Sequence, residues 1–184
     1  MLLWKKYDSI RMLTCGNNST LLAYIKMIIS FFKEAISLLG DTNMKIRPML
    51  TEDYKEIAEL IINELGYPEQ KHENIYQRLE VIKMNDNYQT LVCCMEQHVI
   101  GFIGLCKFVT YEKGDYISIL SLVVSELYQQ KGIGKLLLSA ATKYALNHGV
   151  MQIKVSCAFH RKYAHYFYEK NGFDRTSFTF IKEL

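Results

Sequence analysis

Hydrophobic and polar residues follow two different periods along the chain, and each change of period marks an element. Leu21, Leu22, Ile25, Ile28, Ile29, Phe32, Ile36 and Leu39 recur at helical spacing, with Lys26, Ser30, Lys33, Glu34 and Ser37 between them. This pattern predicts an amphipathic helix, capped by Ser19 or Thr20 and ended by Gly40. Lys26, Lys33 and Glu34 argue against a membrane span, because each charge would be costly at the bilayer centre. Such a helix docks on the domain, on a partner or on a membrane surface.

At Met44 the pattern changes. MKIRPML reads as a short strand around Ile46. Thr51 then caps a helix in which Tyr54, Ile57, Ala58, Ile61, Ile62 and Leu65 form the apolar stripe. Glu52, Asp53 and Glu56 suit its positive N-terminal end, and Gly66-Tyr67-Pro68 stops it. A second helix runs from about Glu73 to Met84. Strands follow at Tyr88–Met95, Val99–Val109 and Tyr116–Val124, with turns at 96–98 and 111–115. Gly101 and Gly104 mark bulges in the second of these strands. The nearly continuous apolar run ILSLVV places the third in the middle of a sheet. The remainder reads helix Gly134–His148, strand Met151–Cys157, helix Lys162–Lys170 and strand Phe178–Lys182.

Composition narrows the class. The 184 residues are 49% hydrophobic and 22% charged, which excludes collagen-like and wholly disordered chains. A net charge of +3 is too mild to argue for a nucleic-acid partner. The apolar start at Met1–Trp4 is too short for a secretory signal. Cys15, Cys93, Cys94, Cys106 and Cys157 contain no CxxC pair, so they read as buried or incidental thiols in a reducing cytoplasm, with no metal site. Cys93 and Cys94 are adjacent in a strand and should point to opposite faces.

Candidate chemistry concentrates where the central strand meets the following helix. Leu122, Val123 and Val124 run through a short loop into a helix opening at Gly132-Ile133-Gly134-Lys135. The first turn of a helix presents unpaired N–H groups and a partial positive charge, so a pyrophosphate fits there. Gly132 and Gly134 allow close backbone approach, and Lys131 and Lys135 add charge. The segment is not a P-loop, because it lacks the earlier glycine and the hydroxyl. It is not a dinucleotide fingerprint either, because Leu137 stands where that pattern needs glycine or alanine.

Gln129-x-x-Gly132-x-Gly134 after an apolar strand resembles the (Q/R)xxGx(G/A) acetyl-CoA signature of the GNAT superfamily of N-acetyltransferases. Ala164-His165-Tyr166-Phe167-Tyr168-Glu169-Lys170-Asn171-Gly172-Phe173 resembles that family's closing motif, A-x-x-(F/L)-Y-E-x-x-G-F. The element order agrees from Met44 to Leu184. The resemblance implies an α+β, acyl-CoA N-acyltransferase-like mixed sheet flanked by helices, preceded by the N-terminal amphipathic helix. Residues 1–43 form an extension and 44–184 the catalytic domain, and Met44 is itself a candidate start.

The resemblance further implies acetyl-CoA as co-substrate. Leu122, Val123 and Val124 would lend strand backbone to the pantetheine between two splayed strands. Gln129, Gln130, Lys131, Gly132, Ile133, Gly134 and Lys135 would hold the pyrophosphate. Many relatives carry Asn shortly after the fifth strand; here the segment reads Ser156-Cys157-Ala158-Phe159-His160-Arg161, which leaves that contact unassigned. The acceptor is a small-molecule or peptide amine, the setting is cytoplasmic, and a homodimer is admitted.

Acetyl transfer needs a neutral amine. With a pKa of about 10.4, a primary amine is only about 0.04% neutral at pH 7, a handicap of about 4.6 kcal/mol that a base offsets. Glu96, Asp115, Glu126, His160 and His165 are the candidate bases. Motif position gives Tyr168 the task of assisting the departing thiolate. The reading is direct transfer without an acetyl-cysteine intermediate, since no Cys falls in a motif position. The alternative is a non-catalytic acyl-CoA sensor or interaction module.

Overall fold

A computed structural model describes residues 44–112 and 114–183. The expected helix of Leu21–Leu39 lies outside the described residues. The elements run β1 (Met44–Pro48), α1 (Tyr54–Asn63, entered through a 3-10 turn at Thr51–Asp53), α2 (His72–Lys83), β2 (Tyr88–Met95), β3 (His98–Thr110), β4 (Gly114–Val124), α3 (Ile133–Asn147), β5 (Ile153–Val155) and α4 (Lys162–Lys170). A second 3-10 turn, Glu126–Tyr128, separates β4 from α3.

The five strands form one mixed sheet in sequence order. β1 to β4 pair antiparallel, and β5 runs parallel to β4. Strand alternation divides the core. Val92, Cys94, Phe102 and Val123 pack with Ile57, Leu60, Ile75 and Leu79 of α1 and α2 on one face. Cys93, Ile103, Leu105, Ile117 and Ile119 pack with Ile133, Leu137, Leu138 and Ala141 of α3 on the other. The adjacent cysteines therefore face opposite layers, as the period of two requires. Both register slips lie beside the expected glycines: one between Cys93 and Cys94 opposite Val99–Gly101, the other between Gly104 and Leu105.

Asp53 fastens β1 to α1. It is almost wholly buried, and its carboxylate accepts from Arg47 at 2.6 and 2.8 Å and from the Leu50 N–H at 2.7 Å. Burial opposes its ionisation, but the guanidinium and the amide outweigh that and hold its pKa below the usual carboxylate value.

Two expectations fail at the C-terminal side. β5 spans only Ile153–Val155, shorter than Met151–Cys157, and Phe178–Lys182 is not a strand. An alternating sequence provides a surface that fits a sheet, but a ladder also needs a neighbouring strand. Among the described residues nothing pairs with 178–182, and Phe178, Phe180 and Ile181 stand exposed. No helix among the described residues is long and apolar enough to cross a membrane.

Candidate active site

The parallel ladder between β4 and β5 covers only Ile117↔Ile153, Ser118↔Lys154 and Ile119↔Val155. Against β3, Gly104 pairs with Ser121 and Leu105 with Ile119, so Leu120 is an extra residue in β4. A bulge bends its strand and ends pairing. Here it falls immediately after the last β4–β5 pair. Beyond it, Ser121 to Val124 keep β3 on one side and have no β5 partner on the other. Leu122 and Val124 turn their side chains to the α3 layer and Val123 to the α1 layer. The backbone of 121–124 is thus without a ladder partner on the β5 side, a row of amide donors and acceptors suited to an extended amide-bearing chain.

Past Val124 the chain passes through the Glu126–Tyr128 turn into the loop before α3. Gln129 is extended, and its side-chain amide donates to the Val124 carbonyl at 3.0 Å, tying the loop to the end of β4. Gln130 and Gly132 both adopt left-handed conformations, at φ 60° and 82°. Left-handed residues beside a helix start gather successive N–H groups into a concavity that accepts an anion. A non-glycine residue at positive φ, as at Gln130, is a local strain of the kind found at ligand-binding loops. The first backbone bond into α3 comes from the Leu136 N–H to the Gly132 carbonyl at 3.1 Å, which leaves the preceding amides at the helix end. Ile133 is fully buried and anchors that end to the sheet, while the Lys131 ammonium lies 5.1 Å from the Tyr128 ring centroid.

Gly134 packs beside α4. A Cβ there would meet the Phe167 ring at 3.1 and 3.3 Å. This glycine therefore admits an aromatic ring of α4 against the first turn of α3. Phe167 in turn stands edge-on to Tyr168, with centroids 5.4 Å apart, and Tyr168 packs against Phe173 in the same way.

Tyr168 sits half-buried in the α3 layer. Burial, and to a lesser degree the nearby Cys157 thiol, push its pKa up to about 12, while Arg161 pulls in the opposite direction. The hydroxyl is thus grouped with Cys157 and Arg161 just past the end of β5, on the segment where the sequence left a cofactor contact unassigned. Burial also raises the pKa of Cys157, so its thiol stays protonated near neutrality. His165 donates from Nε2 to the Ala158 carbonyl at 2.9 Å, which occupies it in shaping this turn, and His160 is exposed.

The end of α1 closes over the same edge of the sheet. Arg161 Nη2 donates to the Leu65 carbonyl at 3.2 Å, and the Glu126 N–H donates to Glu64 Oε1 at 2.9 Å. Glu64, Leu65 and Arg161 join the site only through these long-range contacts, and no local motif marks them. Of the candidate bases, Glu126 lies at this edge, and Glu96 lines a recess with Glu56, His98, Ser125 and Tyr128. Asp115 lies at the opposite end of β4, paired with Lys107 at 2.9 Å. Its position removes it from the cleft. Among the described residues no His, Cys, Asp and Glu cluster is arranged to hold a metal ion.

Residues 49–173 match the model of the Acetyltransferase (GNAT) family. The chain is 32% identical over 113 residues to the Bacillus subtilis (strain 168) protein named "Uncharacterized N-acetyltransferase YhdJ", covering 61% of this chain and 80% of that protein. A GNAT family acetyltransferase of Staphylococcus aureus subsp. aureus USA300_TCH1516 superimposes with a TM-score of 0.65 at 26% identity, over 77% of this chain and 99% of that one. The aminoglycoside N-acetyltransferase AAC(6')-Iy, solved in complex with CoA, has the same fold, with a TM-score of 0.70 at 17% identity over 78% of this chain and 95% of that one.

Proposed function

The chain belongs to the GNAT acetyltransferase family, and from that premise we propose that it transfers the acetyl group of acetyl-CoA by direct attack of a primary amine. It is an acyltransferase with acetyl-CoA as co-substrate. The pantetheine arm lies along Leu122, Val123 and Val124 in the cleft, and the pyrophosphate sits in the loop from Gln129 through Gln130, Lys131, Gly132, Ile133 and Gly134 to Lys135. The observation that carries this reading is the bulge at Leu120. The β4–β5 ladder ends beside it, and the unpaired stretch of β4 runs on along the chain to the two left-handed residues at the head of α3.

In the reaction the amine nitrogen attacks the thioester carbonyl carbon, the C–S bond breaks, and the nitrogen loses a proton. Tyr168 is the catalytic group at the sulfur. With a pKa of about 12, full proton transfer to a thiolate of pKa ~8.5 is uphill by about 5 kcal/mol. Tyr168 therefore acts by donating a hydrogen bond to the developing thiolate, which leaves protonated from solvent. Glu126 and Glu64, whose carboxylate accepts from the Glu126 N–H, are the groups we assign to take the amine proton through water.

The acceptor is a small-molecule or peptide amine, the protein works in the cytoplasm without a nucleic-acid partner, and residues 1–43 are an appendage to the catalytic domain. Initial-rate kinetics with a panel of amines tests the chemistry. Intersecting double-reciprocal lines, with no acetylated protein by intact mass in the absence of acceptor, are expected. Parallel lines with a stable acetyl-protein would replace direct attack with a covalent intermediate.

A further inference from the structure

Three aromatic rings stand in a row beside the head of α3. Phe167, half-buried on α4, turns its ring tip to Gly134, so closely that not even a methyl group fits between them. Its ring stands edge-on to Tyr168, with 68° between the planes, and Tyr168 stands edge-on to Phe173 at 64°. All three pack in the layer of Ile133 and Leu137 of α3.

The two ends of this row are held differently. Phe173 is fixed by α4 itself. Gly172, at φ 85°, turns the chain back at the helix end. The Gly172 N–H donates to the Glu169 carbonyl at 3.0 Å and the Phe173 N–H to the Tyr168 carbonyl at 3.1 Å. This pair of bonds closes a helix on a left-handed glycine and brings the next residue against the last turn, here Phe173 against Tyr168. Phe167 instead reaches another element. It rests on the first turn of α3, whose amides take the pyrophosphate in the proposed reaction. The Tyr168 ring is therefore confined between one ring placed by α4 and another placed by α3.

We propose that Phe167 is a positioning residue for the transfer step, which reads the seat of the cofactor loop at the head of α3 and sets by it the direction of the Tyr168 hydroxyl. Interiors packed this closely transmit a displacement, and a misplacement on the order of 1 Å at a reacting group costs up to about a hundredfold in rate. The proposal rests on Tyr168 assisting the departing thiolate and adds that its aim depends on the loop that binds the phosphates.

A double-mutant cycle tests this. Single-turnover rates are measured at saturating acetyl-CoA, with the fastest amine of the panel, in wild type, Phe167→Ala, Tyr168→Phe and the double variant. Phe167→Ala should slow the chemical step by about tenfold or more, with acetyl-CoA affinity held within about twofold. Phe167→Leu, which keeps an apolar branch against Gly134, should recover most of the rate. With Phe at 168 there is no hydroxyl to aim, so Phe167→Ala should then cost nothing further. A ring that only packs would cost the same in both backgrounds. Losses that multiply in the double variant, or a wild-type rate in Phe167→Ala, overturn the positioning role and leave Tyr168 standing. A wild-type rate in Tyr168→Phe removes Tyr168 and the positioning role together. If Phe167→Ala does not fold, Gly134→Ala pushes the same ring from the α3 side and takes its place in the cycle, with the same outcomes.

Discussion

Arg161 and Leu65, 96 positions apart, meet through one hydrogen bond: the guanidinium at the start of α4 donates to a backbone carbonyl at the end of α1. The carbonyls at a helix C-terminus lack intrahelical partners and carry partial negative charge, so a cation there satisfies both needs. The bond also ties the α1–α2 connection to the turn whose Arg161 acts on the Tyr168 hydroxyl. Arg161→Ala should lower stability by about 1–2 kcal/mol and raise the KM for the amine several-fold, with acetyl-CoA affinity nearly unchanged. Arg161→Lys should recover part of the KM. Equal losses in the affinity of both substrates would place Arg161 on the cofactor instead.

Tyr168→Phe keeps the ring and its edge contacts with Phe167 and Phe173. If the hydroxyl assists thiolate departure, kcat should fall by at least about tenfold while acetyl-CoA affinity and melting temperature change little. Single-turnover rates are the measurement. A wild-type chemical step would remove Tyr168 from the mechanism.

Gly132 and Gly134 should respond differently to alanine. At Gly132 the left-handed backbone, φ 82°, makes any Cβ cost about 1–2 kcal/mol, and the loop amides are displaced with it. Acetyl-CoA affinity should drop about tenfold by calorimetric titration. At Gly134 the new methyl must push the Phe167 ring aside. The larger loss should then appear in kcat, through the shifted Tyr168, and not in affinity. Identical kinetic profiles for the two variants would contradict this division of roles.

Alkaline pH should destabilise the fold. Burial raises the thiol of Cys93 to about 11 and Tyr168 to about 12, against about 8.5 and about 10 in an unfolded chain. Between those values the unfolded chain has released protons that the folded one retains, so stability falls as pH rises. The contribution of Cys93 is complete below pH about 8.5 and that of Tyr168 below about 10; each is lost as pH climbs to the folded value. Urea unfolding at a series of alkaline pH values should show this loss, and Tyr168→Phe should flatten the portion above pH about 10. An unchanged slope in that variant would mean that the hydroxyl is not shielded.

The sequence determined much of this protein by local rules. Period fixes which way each residue points, so the split of Cys93 and Cys94 between two layers and the helical stripe of Tyr54, Ile57 and Ala58 were legible in the sequence, whereas the burial of Leu60 was not. The start of α3 after Gly132 was legible for the same reason, because a helix start is marked locally by its glycines and by the apolar period that follows. The strand-like spacing of Phe178 and Phe180 was legible too, yet a strand forms only against a neighbour, and β5 of the same chain does not supply one. Tertiary structure alone decided where the β4–β5 ladder stops, because a bulge at Leu120 is defined by the register of three strands together. It also gave Gly134 the ring of Phe167 as its neighbour and brought Arg161 to Leu65. These contacts join segments that are far apart in the chain, and no period or motif within either segment encodes the distance between them.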